Sequence, residues 1–120
     1  MIRWVRGATT VQNNTEADIL NAAEELFKTM IEQNEICPND VASVFISTTE
    51  DINAGFPAKG LRQMEGWKYV PVMCMSEMPV PNSLKLCIRV MLHLNTDKEQ
   101  NEIIHVYLKK AKILRPDLEK

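Results

Sequence analysis

Apolar residues recur along this chain with two different periods, and the switches between them mark out its elements. The opening segment, Ile2 to Val11, is rich in valine, threonine and tryptophan and reads as a strand closed by Asn13-Asn14. Ile19, Ala22, Ala23, Leu26, Phe27, Met30 and Ile31 then follow helical spacing and form one apolar stripe. Thr15 and Asp18 resemble a capping box at its start, with Asp in place of the usual Glu or Gln, and the helix should end near Asn34, before Pro38. Val44 to Thr49 reads as a second strand, rich in β-branched residues. After a loop from Glu50 to Gly55, Pro57 suits a first helical position and Gly66 the residue just past an end, which predicts a short helix from Pro57 to Glu65.

Tyr69 to Met75 reads as a third strand, where Pro71 argues for an edge or a bulge. Pro79, Pro81 and Asn82 make a loop. Leu84 to Leu94 follows as a long strand: Leu84, Leu86, Ile88, Val90, Leu92 and Leu94 share one face, and Lys85, Cys87, Arg89, Met91 and His93 the other. A half-apolar second face is unusual in plain water, and a second subunit is its natural cover. Thr96 with Glu99 predicts another capping box and a short helix before His105, and the segment from Leu114 to Leu118 reads as a tail. The pattern is that of an α+β domain, two helices against a mixed, mainly antiparallel sheet, in one unit over residues 1–120.

Composition agrees with a folded domain that needs neither metal nor disulfide: 120 residues, 45% hydrophobic and 25% charged. A net charge of -2 and no basic run longer than Lys109-Lys110 argue against nucleic acid as a partner. An anionic ligand would have to be held by individual arginines or lysines. No apolar run approaches the ~20 residues that cross a bilayer, so no membrane partner is expected. Three cysteines, Cys37, Cys74 and Cys87, an odd number, together with a start lacking an export-type apolar stretch, fit a reducing cytoplasm.

Few residues stand out chemically. Arg89 is either a guanidinium on a wet sheet face or an anion contact using its fixed fork of donors. Glu77, after the third strand, reads from its position alone as a surface carboxylate. Cys74 is more naturally a small buried residue than a nucleophile, with no His, Asp or Lys beside it in sequence. His93 and His105 lack metal-ligand spacing, and the glycines form no phosphate-binding pattern, so neither metal nor cofactor is expected.

Five separated runs carry more: Arg6-Gly7-Ala8-Thr9-Thr10, Phe56-Pro57-Ala58-Lys59, Cys74-Met75-Ser76-Glu77-Met78, Cys87-Ile88-Arg89-Val90-Met91 and His105-Val106-Tyr107-Leu108. Together, in order and spacing, they closely resemble the monofunctional AroH-type chorismate mutases over nearly the whole chain. The resemblance implies a homotrimeric pseudo α/β-barrel with active sites between subunits. It also implies conversion of chorismate to prephenate, in phenylalanine and tyrosine biosynthesis, by a one-step Claisen rearrangement without cofactor or covalent intermediate.

By the same resemblance, Arg6 clamps a substrate carboxylate. Arg89 reaches the ether oxygen and a carboxylate. Glu77 binds the ring hydroxyl and faces the ring fragment, and Tyr107 contacts the side-chain carboxylate. Met73 and Cys74 lie where the strand wraps the ring. Phe56, Ala58 and Val72 are apolar walls, Lys59, Arg62 and Arg115 are cations around the mouth, and Leu114 helps close the site. Met73 departs from a common threonine, Pro79 to Ser83 replaces a loop that often carries glycines, and the tail stops soon after Arg115-Pro116-Asp117. Two rivals are a Rid-type imine deaminase on a similar trimeric fold and a non-catalytic trimer that senses an anionic metabolite. Glu77 directly after the Cys74 strand, together with Arg6, favours the mutase.

Overall fold

In this computed structural model, which describes residues 1–115, five strands form one sheet. They are β1 (Ile2–Thr10), β2 (Val41–Thr48), β3 (Val72–Ser76), β4 (Cys87–Asn95) and β5 (Val106–Tyr107), in the order β3-β2-β4-β1-β5. The two long pairings, β1 with β4 and β2 with β4, are antiparallel; the shorter β2–β3 and β1–β5 pairings are parallel. Two α-helices accompany them, α1 (Glu16–Asn34) and α2 (Ala58–Arg62). The α+β expectation of a mixed, mainly antiparallel sheet with two helices therefore holds.

The helices cover one face of the sheet. Ile19, Ala22, Ala23, Leu26, Phe27 and Met30 of α1 are buried against Val5, Val44, Ile46, Ile88, Val90 and Leu92 of the strands. Each large side chain so buried contributes about 1.5–3 kcal/mol. The hydroxyl of Thr15 accepts the Asp18 N–H at 3.2 Å and caps the helix as expected. Gly7 marks the closest approach of α1 to β1: a Cβ there would run into Met30 Sδ and meet Leu26 Cδ1 at 3.1 Å.

Several boundaries differ from expectation for local reasons. β4 begins at Cys87 rather than Leu84, because Leu86 adopts a left-handed backbone (φ 50°) that breaks the pleat. The Asp51 carboxylate holds that turn by accepting the Leu86 N–H at 3.0 and 3.2 Å. β3 begins at Val72, one residue after Pro71, and is an edge strand. The second helix is shorter than Pro57 to Glu65, and Gly66 lies beyond it with φ 90°. The expected Thr96–Glu99 box is replaced: Glu99 and Glu102 cap each other around a single 3-10 turn, Gln100–Glu102, while the Thr96 hydroxyl accepts the Lys98 N–H. Lys109–Leu114 forms a 3-10 helix that takes in Leu114, the first residue of the expected tail, and Pro116 to Leu118 lie outside the described residues.

The second sheet face is open in the single chain. Trp4, Arg6 and Ala8 of β1, Ser43, Phe45 and Ser47 of β2, and Arg89, Met91 and His93 of β4 stand opposite one another across it. The rings of Trp4, Phe45 and His93 cluster there, and Ser43 Oγ lies 2.6 Å from His93 Nδ1.

Candidate active site

Strand register delivers the charged residues of the open face to one cleft of about 490 Å³. Ala8 of β1 and Ser47 of β2 flank Arg89 on the central strand. The β2–β3 ladder continues one step past Ser76, with the Glu77 N–H donating to the Thr48 carbonyl at 2.8 Å. That step leaves Glu77 on the side of Met73 and Met75, facing Ser47 and Arg89. Arg89 Nε lies 3.3 Å from Glu77 Oε2, and Ser47 Oγ donates to the same oxygen at 2.5 Å. Arg6 of β1, Tyr107 of β5, and Leu114 and Arg115 after it complete the wall.

The half-exposed Arg89–Glu77 pair contributes at most about 1 kcal/mol to folding, so stability does not explain its position. Its neighbours are tuned by burial. The Cys87 thiol is pushed up mainly by burial, against an opposing pull from Arg89, so it stays protonated and unreactive at neutral pH. The His105 imidazole is pushed down, first by burial and then by the Arg6 and Arg115 charges. The Arg6 N–H donates to His105 Nδ1 at 3.0 Å, which fixes that nitrogen as unprotonated.

The remaining expected residues lie elsewhere. Phe56, Ala58, Lys59, Arg62, Val72, Met73 and Cys74 line a second, larger cleft of about 950 Å³, between the start of α1, α2 and the outer edge of β3. Lys59 pairs there with Glu16 at 3.4 Å. Phe56 is 78% exposed and Met73 59% exposed. Cys74 is exposed rather than buried, because an edge strand offers no neighbour on its outer side. Among the described residues the two clefts share no lining side chain, so one copy of the chain holds the thirteen expected residues as two separate sets, of six and seven.

Ser47, Phe45 and Met75 also line the first cleft and were not singled out from sequence. Their signal was the strand alternation itself, readable only once β2 and β3 are in register with β4.

Residues 2–118 match the chorismate mutase type I family. The chain belongs to that family. It is similar to the chorismate mutase AroH of Bacillus subtilis (strain 168), 52% identical over 118 residues, covering 98% of this chain and 93% of that protein. It is likewise similar to the chorismate mutase AroH of Thermus thermophilus, 44% identical over 120 residues, 99% of this chain and 98% of that one. Among solved structures, a chorismate mutase from Clostridium thermocellum superposes with a TM-score of 0.90 at 46% identity, over 92% of this chain and 98% of that one. The type I family thus extends over both clefts and all the strands that build them.

Proposed function

We propose that this chain is a chorismate mutase, an isomerase that rearranges chorismate to prephenate in aromatic amino acid biosynthesis. The observation that carries the reading is the Arg89–Glu77 pair set beside Arg6 and Tyr107 in one cleft. The rearrangement breaks an ether C–O bond as a C–C bond forms, in one step without proton transfer. It needs a dicarboxylate held in its folded conformer and charge of both signs at fixed places.

The first cleft offers both. Arg6 and Arg89 are donors for carboxylates, and Tyr107 adds a hydroxyl. As the C–O bond lengthens, negative charge grows on the ether oxygen, where Arg89 would meet it. Arg89 meets Glu77 through Nε at 3.3 Å and also hydrogen-bonds the Cys87 thiol, and a guanidinium carries five N–H donors, more than these two contacts require. Positive character grows on the ring, which Glu77 would face while accepting the ring hydroxyl.

The second cleft supplies what the first lacks: the apolar walls Phe56, Ala58, Val72 and Met73, Cys74 beside the ring, and the cations Lys59 and Arg62 at the mouth. Arg115 and Leu114 close the first cleft from its own side. The complete site is the first cleft of one copy against the second cleft of its neighbour, in a homotrimer. The exposed Phe56 and Met73 and the open half-apolar sheet face support such an assembly. Residues 1–120 act as one catalytic domain, and the cytoplasm is its proposed location. Among the described residues no helix is long and apolar enough to cross a membrane.

Loss of chorismate absorbance with formation of prephenate, on purified protein, tests the activity. An imine deaminase or a non-catalytic sensor would leave chorismate unchanged. Light scattering tests the assembly: a stable, fully active monomer would defeat the two-copy site.

A further inference from the structure

Two donors converge on one oxygen of Glu77. Ser47 Oγ reaches Oε2 at 2.5 Å, and Arg89 Nε approaches the same Oε2 at 3.3 Å. Neither contact uses Oε1. Ser47 and Arg89 are register partners across the β2–β4 pairing, so the hydroxyl is carried by the sheet rather than by a loop. Glu77 sits just beyond the end of β3, anchored by its backbone to Thr48, with a long side chain that must be fixed by other groups.

A carboxylate beside a guanidinium tends to close into a bidentate pair, in which both oxygens and two donors are spent on each other. Such a pair would mask the Arg89 fork from an incoming anion and would take Oε1 out of the cleft. The Ser47 hydrogen bond opposes that closure by holding Oε2 toward β2.

We propose that Ser47 is a positioning residue that keeps Glu77 and Arg89 from neutralising each other, leaving Oε1 and the terminal Arg89 donors for the substrate. This rests on the chorismate mutase reading, and it makes a statement about the empty site as well as about turnover. Ser47 acts through Glu77 and touches no reacting atom.

The experiment is a double-mutant cycle. Ser47→Ala should lower kcat/KM by about tenfold or more, the usual scale for losing a hydrogen bond to a charged group. Ser47→Thr, which keeps the hydroxyl and suits a strand, should restore most of it. In a Glu77→Gln background, Ser47→Ala should cost almost nothing further, since residues that act as a unit are non-additive. A full additional loss in that background would show that Ser47 acts on the fold or on substrate directly, and would overturn the proposal.

A second readout needs no substrate. The guanidinium 15N–1H signals of Arg89 in the free protein should move on Ser47→Ala and stay still on the same change in the Glu77→Gln protein. Unmoved Arg89 signals in Ser47→Ala would sink the proposal even if the wild type is an active mutase. A wild type that leaves chorismate untouched while those signals do move would instead sink the functional reading alone.

Discussion

Asn34 grips both backbone groups of Ile104: its Oδ1 accepts the Ile104 N–H and its Nδ2 donates to the Ile104 carbonyl, each at 2.8 Å. The side chain imitates a strand neighbour at the buried end of α1 and fixes the segment leading into β5, which carries Tyr107. Asn34→Ala should lower stability by about 2–3 kcal/mol, since three side-chain hydrogen bonds are lost, the third from Nδ2 to the Met30 carbonyl, and partly buried backbone groups of Ile104 are left without partners. Urea denaturation would read this as a lower midpoint at unchanged slope.

The role proposed for Arg89 bears on the chemical step. A contact with an oxygen that gains charge strengthens in the transition state, and only such contacts raise turnover. Arg89→Ala should lose about 10²–10³ in kcat, roughly 2.7–4 kcal/mol. Arg89→Lys should recover part of it, because a point charge cannot reproduce the fork. Arg62→Ala, in the other cleft, should mainly raise KM. Steady-state kinetics on the folded proteins decides this: an Arg89→Ala protein with intact kcat and only a higher KM removes Arg89 from its proposed role.

Cys74 lines the second cleft as an exposed thiol, but a pericyclic reaction forms no covalent intermediate. Cys74→Ala should keep much of the wild-type turnover, and chelators should not affect it. Complete inactivity of a folded Cys74→Ala protein contradicts the mechanism.

His105 makes stability depend on pH. Its folded pKa is depressed, so as pH falls below about 6.5 the unfolded chain binds the proton first. Stability is therefore full above that value. It declines as pH drops toward the folded pKa and levels off below it. Protonation also places a hydrogen on Nδ1, where the Arg6 N–H now donates. His105→Gln should flatten the fall in stability between about pH 7 and pH 5, measured by denaturant midpoints across that range. An unchanged slope would assign the acid sensitivity to other groups.

The sequence carried a good part of the fold. The stripe from Ile19 to Met30 is a helix with its predicted cap, and the alternation around Arg89 belongs to the central strand of the sheet. Local signals failed where long-range bonds decide. The start of β4 depends on Asp51 bonding Leu86, 35 residues away, and β5 is two residues long and exists through its pairing to Gly7 and Ala8. The candidate site was legible as residues and not as geometry. Arg6, Glu77, Arg89 and Tyr107 share a cleft because of strand register, which no single segment encodes, and the same ignorance of register hid Ser47. The division of the expected residues between two clefts has no local signature at all.

That division has a genetic consequence. Damage to one cleft leaves the other whole, since they share no lining residue among those described. In a cell making two inactive versions of this chain, one lacking Arg89 and the other with its second cleft destroyed, the proposed mixed trimers contain some sites built from two undamaged halves. The two lesions would then complement each other in trans and restore growth without added phenylalanine and tyrosine. Two lesions on the same side of the split would not, so pairwise complementation would sort the site residues into their two halves without any structure.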